Sequence, residues 1–235
     1  LFADKTVANN KAVTISGLTL SGEDAGNYTV TDNSGATANI TAKAITSTGI
    51  TASNKVYNAN TVATLNTGTA VLTGGAVADD DNKYYTGDTV TLDTSGAAGL
   101  FADKTVANNK AVTISGLALS GADAGNYTVT DASNATANIT AKPITATGVT
   151  AVNKIYNANT VATLNTGLAA ITAGATADDD KKYYDGDTVI LEKAGATGAF
   201  ADKTVANNKA VTISGLTLSG EDAGNYTVTD NSGAT

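Results

Sequence analysis

Leu-Ser-Gly-Glu-Asp-Ala-Gly-Asn-Tyr-Thr-Val, residues 20–30, is the stretch that decides the fold, because the chain contains it three times. It recurs unchanged at 218–228, and the copy at 119–129 differs only in Ala122, which replaces Glu. Every copy holds the motif Asp-x-Gly-x-Tyr. The motif residues are Asp24, Gly26 and Tyr28, then Asp123, Gly125 and Tyr127, then Asp222, Gly224 and Tyr226.

This motif resembles the tyrosine corner of immunoglobulin-like β-sandwiches. In that corner a tyrosine near the start of a late strand bonds its hydroxyl to the backbone a few residues upstream. Glycine adopts backbone angles that other residues avoid, and aspartate bonds the backbone of its own turn. Tyrosine buries its ring while its hydroxyl stays hydrogen-bonded. We therefore predict a structural role for the nine motif residues; the alternative is that the tyrosines bind a ligand.

The same phrases return every 99 residues, as the openings at Phe2, Phe101 and Phe200 show. This period is too long for one coil of a solenoid and matches one immunoglobulin-sized sandwich. The only proline, Pro143, marks a join between copies, because proline is excluded from central strands. We predict three domains, namely the C-terminal half of a repeat at 1–44, a complete repeat at 45–142, and a repeat without its last strand at 143–235.

Apolar and polar residues alternate within each copy, which predicts strands and no helices. Before Gly116 the apolar residues stand at even-numbered positions, Val112 and Ile114. After Gly116 they stand at odd-numbered positions, Leu117 and Leu119. A shift by an odd number of residues requires a bulge, a bend or a change of sheet at Gly116. The sequence therefore predicts an all-β chain of tandem immunoglobulin-like β-sandwich domains arranged end to end.

The composition excludes several classes of function. The chain has no Cys and no His, and all its strong cations are Lys, so thiol chemistry, disulfides, Cys-type zinc sites and the commonest general base are excluded. The net charge of -8 argues against nucleic acid, whose phosphates would be repelled. No apolar run reaches the length of a membrane span. We expect neither an enzyme nor a transmembrane segment.

Two acidic loops are candidate metal sites. Clustered carboxylates suit Ca²⁺, although their spacing departs from the Asp-x-Asp-x-Asp-Gly loop and neighbouring lysines compete for the same oxygens. The alternative is a solvated loop, and no other cofactor is expected. The candidate ligands are Asp79, Asp80, Asp81, Asp178, Asp179 and Asp180.

Paired tyrosines follow each acidic loop and are candidate ligand contacts. Exposed aromatic rings beside carboxylates suit carbohydrate, whereas the alternative is that the rings pack within strands. The residues are Tyr84, Tyr85, Tyr183 and Tyr184.

Four ordered motifs carry a resemblance to a known family. They are Lys-Val-Tyr-Asn-Ala-Asn-Thr at 55–61, Gly-Asp-Thr-Val-Thr-Leu-Asp at 87–93, Phe-Ala-Asp-Lys at 101–104 and Leu-Ser-Gly-Ala-Asp-Ala-Gly-Asn-Tyr at 119–127. They resemble the YDG/MBG-type repeats of very large secreted bacterial adhesins, including filamentous-haemagglutinin-like proteins. Tyr-Asn-Ala stands at 57–59 and 156–158, where the family has Tyr-Asp-Gly, so these repeats form a divergent branch. The resemblance implies a stalk or matrix fibre, export through the outer membrane, and no catalytic residues.

We therefore expect a structural repeat of an extracellular adhesin or biofilm-matrix fibre at the bacterial cell surface, which gives length and cell-surface or cell–cell attachment. Its expected partners are neighbouring copies of the same domain, other chains in a fibre, and host or matrix glycans. One alternative is an adhesive module that binds carbohydrate or Ca²⁺. Another is a fibre subunit that polymerises by strand exchange, in which the strand at 38–43 completes the terminal domain of a second chain.

Overall fold

The computed structural model describes all residues 1–235 and is all-β, as the alternation predicts. Its only helical segments are three single turns of 3-10 helix at Ala25–Asn27, Ala124–Asn126 and Ala223–Asn225. None of its helical segments has the length and apolar character needed to cross a bilayer. The immunoglobulin-like sandwich and the end-to-end arrangement stay predictions.

Twenty-four strands make up the sheets. In the first half of the chain they are β1 (Ala8–Ala12), β2 (Thr37–Ile40), β3 (Lys43–Thr48), β4 (Thr51–Ala52), β5 (Lys55–Val56), β6 (Val62–Ala63), β7 (Leu65–Asn66), β8 (Val71–Leu72), β9 (Thr91–Asp93), β10 (Ala98–Phe101), β11 (Ala107–Ser115) and β12 (Ala118–Ser120). In the second half they are β13 (Tyr127–Asp131), β14 (Thr136–Thr140), β15 (Lys142–Thr147), β16 (Thr150–Ala151), β17 (Val161–Ala162), β18 (Leu164–Asn165), β19 (Ala170–Ile171), β20 (Ile190–Glu192), β21 (Thr197–Phe200), β22 (Val211–Ser214), β23 (Thr217–Ser219) and β24 (Tyr226–Asp230).

The chain forms two compact units, each built from three separate segments. Unit 1 contains residues 1–51, 65–98 and 114–134, and unit 2 contains residues 52–64, 99–113 and 135–235. Each unit therefore combines residues from more than one of the predicted domains. The domain boundaries predicted after residues 44 and 142 follow the sequence repeat, and they stay a prediction.

Unit 1 is organised around β3. This strand pairs in parallel with β13, from Lys43 opposite Tyr127 to Ser47 opposite Asp131, and antiparallel with β8. Separate antiparallel pairs join β9 to β12 and β1 to β2. The buried apolar residues of this unit include Ile45, Ile50 and Tyr127, which places its core beside β3 and β13.

Unit 2 repeats this plan around β15, which pairs in parallel with β24 and antiparallel with β19. Antiparallel pairs join β20 to β23, β16 to β18, and β21 to both β17 and β22. In addition, β14 pairs antiparallel with β11 and in parallel with the short strand β5. The larger core lies here and includes Tyr57, Ile139, Ile144, Val149 and Tyr226.

Pro143 lies inside β15, a strand that has neighbours on both sides, although the sequence prediction excludes proline from central strands. It pairs with Thr227 of β24, whereas β19 contacts β15 only at Ala146 and Thr147. At Pro143 the strand therefore has a partner on one side only. A proline is tolerated there because no second ladder requires its missing N–H.

Of the bulge, bend or change of sheet that the sequence predicts at Gly116, the structure shows a change of sheet. The strand before it, β11, pairs with β14, whereas the strand after it, β12, pairs with β9 in a different sheet. Gly116 has φ +75, and a Cβ atom at this position would lie 2.1 Å from the carbonyl oxygen of Gly96. The turn thus requires both the left-handed backbone and the missing side chain of glycine.

Candidate functional site

The motif tyrosine of unit 2 lies at the start of β24 and joins distant segments. The Tyr226 hydroxyl donates to Asp187 Oδ2 at 2.5 Å and accepts the backbone N–H of Tyr184 at 3.0 Å. The amide lies 42 residues upstream, whereas the tyrosine corner of the sequence prediction bonds backbone only a few residues away. The Tyr226 hydroxyl therefore bonds backbone that lies upstream, but this backbone belongs to a distant segment and not to the turn next to the motif.

The motif aspartate fixes the start of the same turn to a neighbouring strand. The Asp222 carboxylate accepts the backbone N–H of Thr188 at 3.0 Å, and its own N–H donates to the Thr188 carbonyl at 3.1 Å. Asp123 and Thr89 form the same reciprocal pair in unit 1. The motif glycine Gly224 has ordinary backbone angles and open space around its Cβ position. The expectation that it supplies an unusual backbone angle is therefore wrong.

The first copy of the motif has a different environment. Its tyrosine, Tyr28, is 71% exposed, whereas Tyr127 and Tyr226 are buried. Asp24 precedes, and Gly26 lies within, the same single turn of 3-10 helix as in the other copies. The local turn thus forms in all three copies, and the tyrosine is buried in two of them.

A group of four side chains in unit 2, the unit 2 tyrosine cluster, consists of the buried Tyr57, Asp187 and Tyr226 together with the partly exposed Lys104. Asp187 accepts the Tyr57 hydroxyl at 2.8 Å and the Lys104 ammonium at 2.7 Å, in addition to the Tyr226 hydroxyl. Tyr57 is fully buried, and its ring meets that of Tyr226 edge-on at 5.3 Å between centroids. One carboxylate therefore organises three side chains that are far apart in sequence.

The protonation states of this cluster follow from its contacts. Burial raises the pKa of Tyr57 to about 12, and it also raises the pKa of Tyr226. Burial acts to raise the pKa of Asp187, but the hydrogen bonds from Lys104 and both tyrosines outweigh it and hold that pKa below its usual value. The bond to Asp187 raises the pKa of Lys104. At neutral pH the cluster is thus an ion pair with two neutral phenols.

Unit 1 contains the equivalent residues 99 positions earlier. Asp88 accepts the Lys5 ammonium at 2.5 Å and the Tyr127 hydroxyl at 2.6 Å, and Tyr127 accepts the N–H of Tyr85 at 3.1 Å. In unit 1 these side chains line a cavity of about 520 Å³, the unit 1 cavity, together with residues 39–44. The three-residue arrangement around the aspartate is therefore formed in both units.

The two acidic loops are organised by their own lysines and amides. Asp81 accepts Lys43 Nζ at 2.9 Å and three backbone N–H groups, and Asp180 does the same with Lys142 at 2.9 Å. No group of three or more acidic side chains is arranged to hold a metal ion. The geometry therefore gives the calcium hypothesis no support. The other four acids of these loops are exposed, namely Asp79, Asp80, Asp178 and Asp179.

The paired tyrosines take two different places. Tyr84 forms a bridge with Gly74, against which its ring packs closely, and Tyr183 forms the equivalent bridge with Ala173. Tyr85 is 39% exposed and lines the unit 1 cavity, while Tyr184 packs edge-on against Tyr57 at 6.1 Å. The ring of Tyr84 thus packs within the fold, and the backbone of Tyr183 takes the equivalent place.

Sequence reasoning did not find the central residues of the cluster, Tyr57, Lys104 and Asp187. The signal available for them is the period itself, because Tyr57 recurs as Tyr156 and Asp187 is the repeat of Asp88. Recurrence shows that a residue is retained in each copy, but it does not show which retained residues meet.

A model of the family described as YDG domain matches residues 1–36, 41–136 and 140–233. These three matches agree with the resemblance seen in the sequence motifs. No curated protein and no solved structure matches the chain.

Proposed function

Starting from the fact that this chain belongs to the YDG domain family, we propose that it is a structural repeat segment of an extracellular bacterial adhesin or biofilm-matrix fibre. Its role is to supply length for cell-surface or cell–cell attachment, and it carries no catalytic activity. In this proposal each repeat is an immunoglobulin-like β-sandwich, and the repeats are joined end to end.

The observation that carries the proposal is the hydrogen bond between Tyr57 and Asp187, which are 130 residues apart and therefore come from successive sequence repeats. A segment of one repeat is buried inside the unit that the next repeat completes. A chain built in this way resists separation of its copies, because pulling them apart exposes the buried ring and leaves the carboxylate with fewer partners. Resistance to extension is what a stalk requires.

The protonation states support a structural rather than a catalytic role. An acid–base catalyst needs a group whose pKa lies near the working pH. In the unit 2 tyrosine cluster each of these pKa values is shifted further from pH 7. The pKa of Asp187 is lowered, and those of Tyr57 and Lys104 are raised. The cluster is thus fixed in one protonation state.

Surface labelling tests the proposal. Antibodies raised against this chain are applied to intact cells that produce the parent protein, and the cells are then treated with a protease that does not enter them. We expect labelling of intact cells and its loss after protease treatment. Labelling that requires permeabilised cells would contradict an extracellular role.

Pulling a single molecule tests the mechanical part separately. We expect the force needed to unfold unit 2 to fall in the Tyr57→Phe variant, because one hydrogen bond to the buried carboxylate is removed. Tyr156→Phe is the matched control, since Tyr156 is 57% exposed. Equal unfolding forces for the wild type and Tyr57→Phe would show that the cluster does not resist extension.

A further inference from the structure

A tight turn directly before Asp187 contains the only Asp-Gly pair of the sequence, Asp185-Gly186, and the sequence has no Asn-Gly pair. The Asp187 N–H donates to the Tyr184 carbonyl at 3.2 Å, which closes a β-turn with Asp185 and Gly186 at its two central positions. Gly186 has φ +90, as the second central residue of a type II turn requires. The pair is therefore held at the tip of a defined turn.

An aspartate that precedes glycine is chemically special, because glycine has no side chain to shield its nitrogen from the neighbouring carboxyl group. In the first step the Gly186 nitrogen bonds to Cγ of the protonated Asp185 carboxyl group, and water leaves to give a cyclic imide. In the second step water adds to the former backbone carbonyl of Asp185, and the bond from this carbonyl to the Gly186 nitrogen breaks. The product is isoaspartate, in which the chain continues through Cγ and the α-carboxylate is free. One water leaves and one is taken up, so no further reactant is needed.

The structure leaves both reacting groups free. Asp185 and Gly186 are exposed, and the Asp185 carboxylate takes part in no hydrogen bond or ion pair. The Gly186 N–H has no acceptor within the protein. No neighbouring atom lies within 4 Å of the Cβ position of Gly186. Nothing in the fold therefore holds the carboxyl group and the nitrogen apart.

Unit 1 contains the same turn without the reactive pair. Thr86 and Gly87 occupy its central positions, Gly87 has φ +98, and the Asp88 N–H donates to the Tyr85 carbonyl at 3.1 Å. Threonine has no carboxyl group, so this turn cannot form the imide. The turn thus forms equally well with threonine, and its backbone does not require the aspartate of unit 2.

The turn of unit 2 is joined on both sides to the unit 2 tyrosine cluster. Asp187, which follows it, accepts the hydroxyls of Tyr57 and Tyr226. Tyr184, which precedes it, donates its N–H to the Tyr226 hydroxyl at 3.0 Å. Isoaspartate at residue 185 lengthens the backbone between Tyr184 and Asp187 by one atom. The turn and these buried contacts cannot all keep their geometry after that change.

From these observations we infer that Asp185 is a site of spontaneous isomerisation to isoaspartate, and that the modified turn loosens the unit 2 tyrosine cluster. Unit 1, with Thr86 in the same place, has no such site, so the two units age differently. The inference goes beyond the fibre function and does not depend on where the protein is located.

Peptide mapping of the aged chain tests the site. The folded chain is kept for weeks in a mildly acidic buffer below its melting temperature, and samples are then unfolded and digested with endoprotease Asp-N, which cleaves before aspartate but not before isoaspartate. We expect cleavage before residue 185 to decline with time, and an uncut peptide of unchanged mass to take its place. Cleavage before Asp178 and Asp187, neither of which precedes glycine, should persist as the internal control.

Thermal unfolding tests the effect on the cluster. We expect the aged wild type to melt at a lower temperature than the fresh protein. Asp185→Thr is the matched control, because it gives unit 2 the residue that unit 1 has in the same turn, and its melting temperature should not change with age. The aged wild type should also lose the delayed ionisation of Tyr57 and Tyr226 in an alkaline titration of tyrosinate absorbance.

The outcomes that overturn the inference are distinct. Undiminished cleavage before residue 185 in the folded chain removes the site, and so does modification that occurs only when the chain is aged in urea. A modified chain that melts like the fresh protein removes the link to the cluster. An equal fall in melting temperature for aged Asp185→Thr removes it as well, since the loss of stability then has another origin.

Discussion

Asp187 accepts a hydrogen bond from Tyr57, a residue 130 positions earlier in the chain, in the interior of unit 2. The side chain of Asp187 is only 2% exposed, so its charge depends on its partners for compensation. Buried carboxylates of this kind are costly to leave unpaired.

The Asp187→Asn substitution should destabilise unit 2. It keeps the shape of the side chain but removes the charge that accepts the Lys104 ammonium and two phenols. Hydrogen bonds to a charged group contribute about 1.5–3 kcal/mol each, so we expect a loss of at least about 2 kcal/mol in the free energy of unfolding. Urea unfolding followed by circular dichroism measures it, and an unchanged midpoint would contradict the prediction.

The Tyr57→Phe substitution isolates a single hydroxyl. It preserves the buried ring and removes one of the three side-chain donors to Asp187, so we expect a loss of about 1–2 kcal/mol. Tyr156→Phe makes the same chemical change at a 57% exposed tyrosine and should be neutral. Thermal unfolding of both variants makes the comparison, and equal melting temperatures would refute the assigned role of the Tyr57 hydroxyl.

Stability should fall at both ends of the pH scale. The pKa of Asp187 is lowered in the folded state, so its contribution is present above the unfolded pKa of about 4 and is lost as the pH falls through the folded value. Burial raises the pKa of Tyr57 to about 12, so its contribution is present below about pH 10 and is lost as the pH rises towards 12.

Unfolding free energies measured across the pH range check both limbs. The acid limb should become shallower in Asp187→Asn, because the titrating group is gone. The alkaline limb should become shallower in Tyr57→Phe, and tyrosinate absorbance should report one tyrosine fewer with delayed ionisation. A variant with the full wild-type pH dependence would show that other groups determine that limb.

Alanine substitutions at two glycines of unit 1 should have different effects on stability. Gly116→Ala places a Cβ 2.1 Å from the Gly96 carbonyl oxygen at φ +75, so we expect a loss of roughly 2 kcal/mol or more. Gly125→Ala introduces its Cβ into open space at ordinary backbone angles and should be neutral or slightly stabilising. Denaturant midpoints of the two variants decide, and a neutral Gly116→Ala would contradict the close approach.

Much of the fold could be predicted because its signals are local. The alternation at Val112 and Ile114 lies in β11, and the odd shift after Gly116 coincides with the change of sheet. The rule that excludes proline from central strands fails at Pro143, because a strand can have two neighbours while one of its residues pairs with only one of them. The pairing of short ladders along a strand depends on tertiary contacts that a single segment does not reveal.

Of the unit 2 tyrosine cluster, only the motif tyrosine, Tyr226, could be predicted from the sequence. The Asp-x-Gly-x-Tyr motif identifies Tyr226 as structural, but its partners, Asp187 and the Tyr184 amide, are 39 and 42 residues away. Tyr57 is more distant still and lies in a different sequence repeat. Contacts between separate segments leave no spacing pattern in the chain, so recurrence at 99 residues is the only trace that these residues carry.

The burial of one repeat's tyrosine beside the next repeat's aspartate constrains how such a gene can change. A duplication or deletion of whole 99-residue lengths gives every internal tyrosine a matching aspartate, whereas a partial one separates them. Recombination between near-identical copies meets this condition at any aligned position. We therefore expect changes in copy number to preserve this contact when they occur in whole 99-residue lengths.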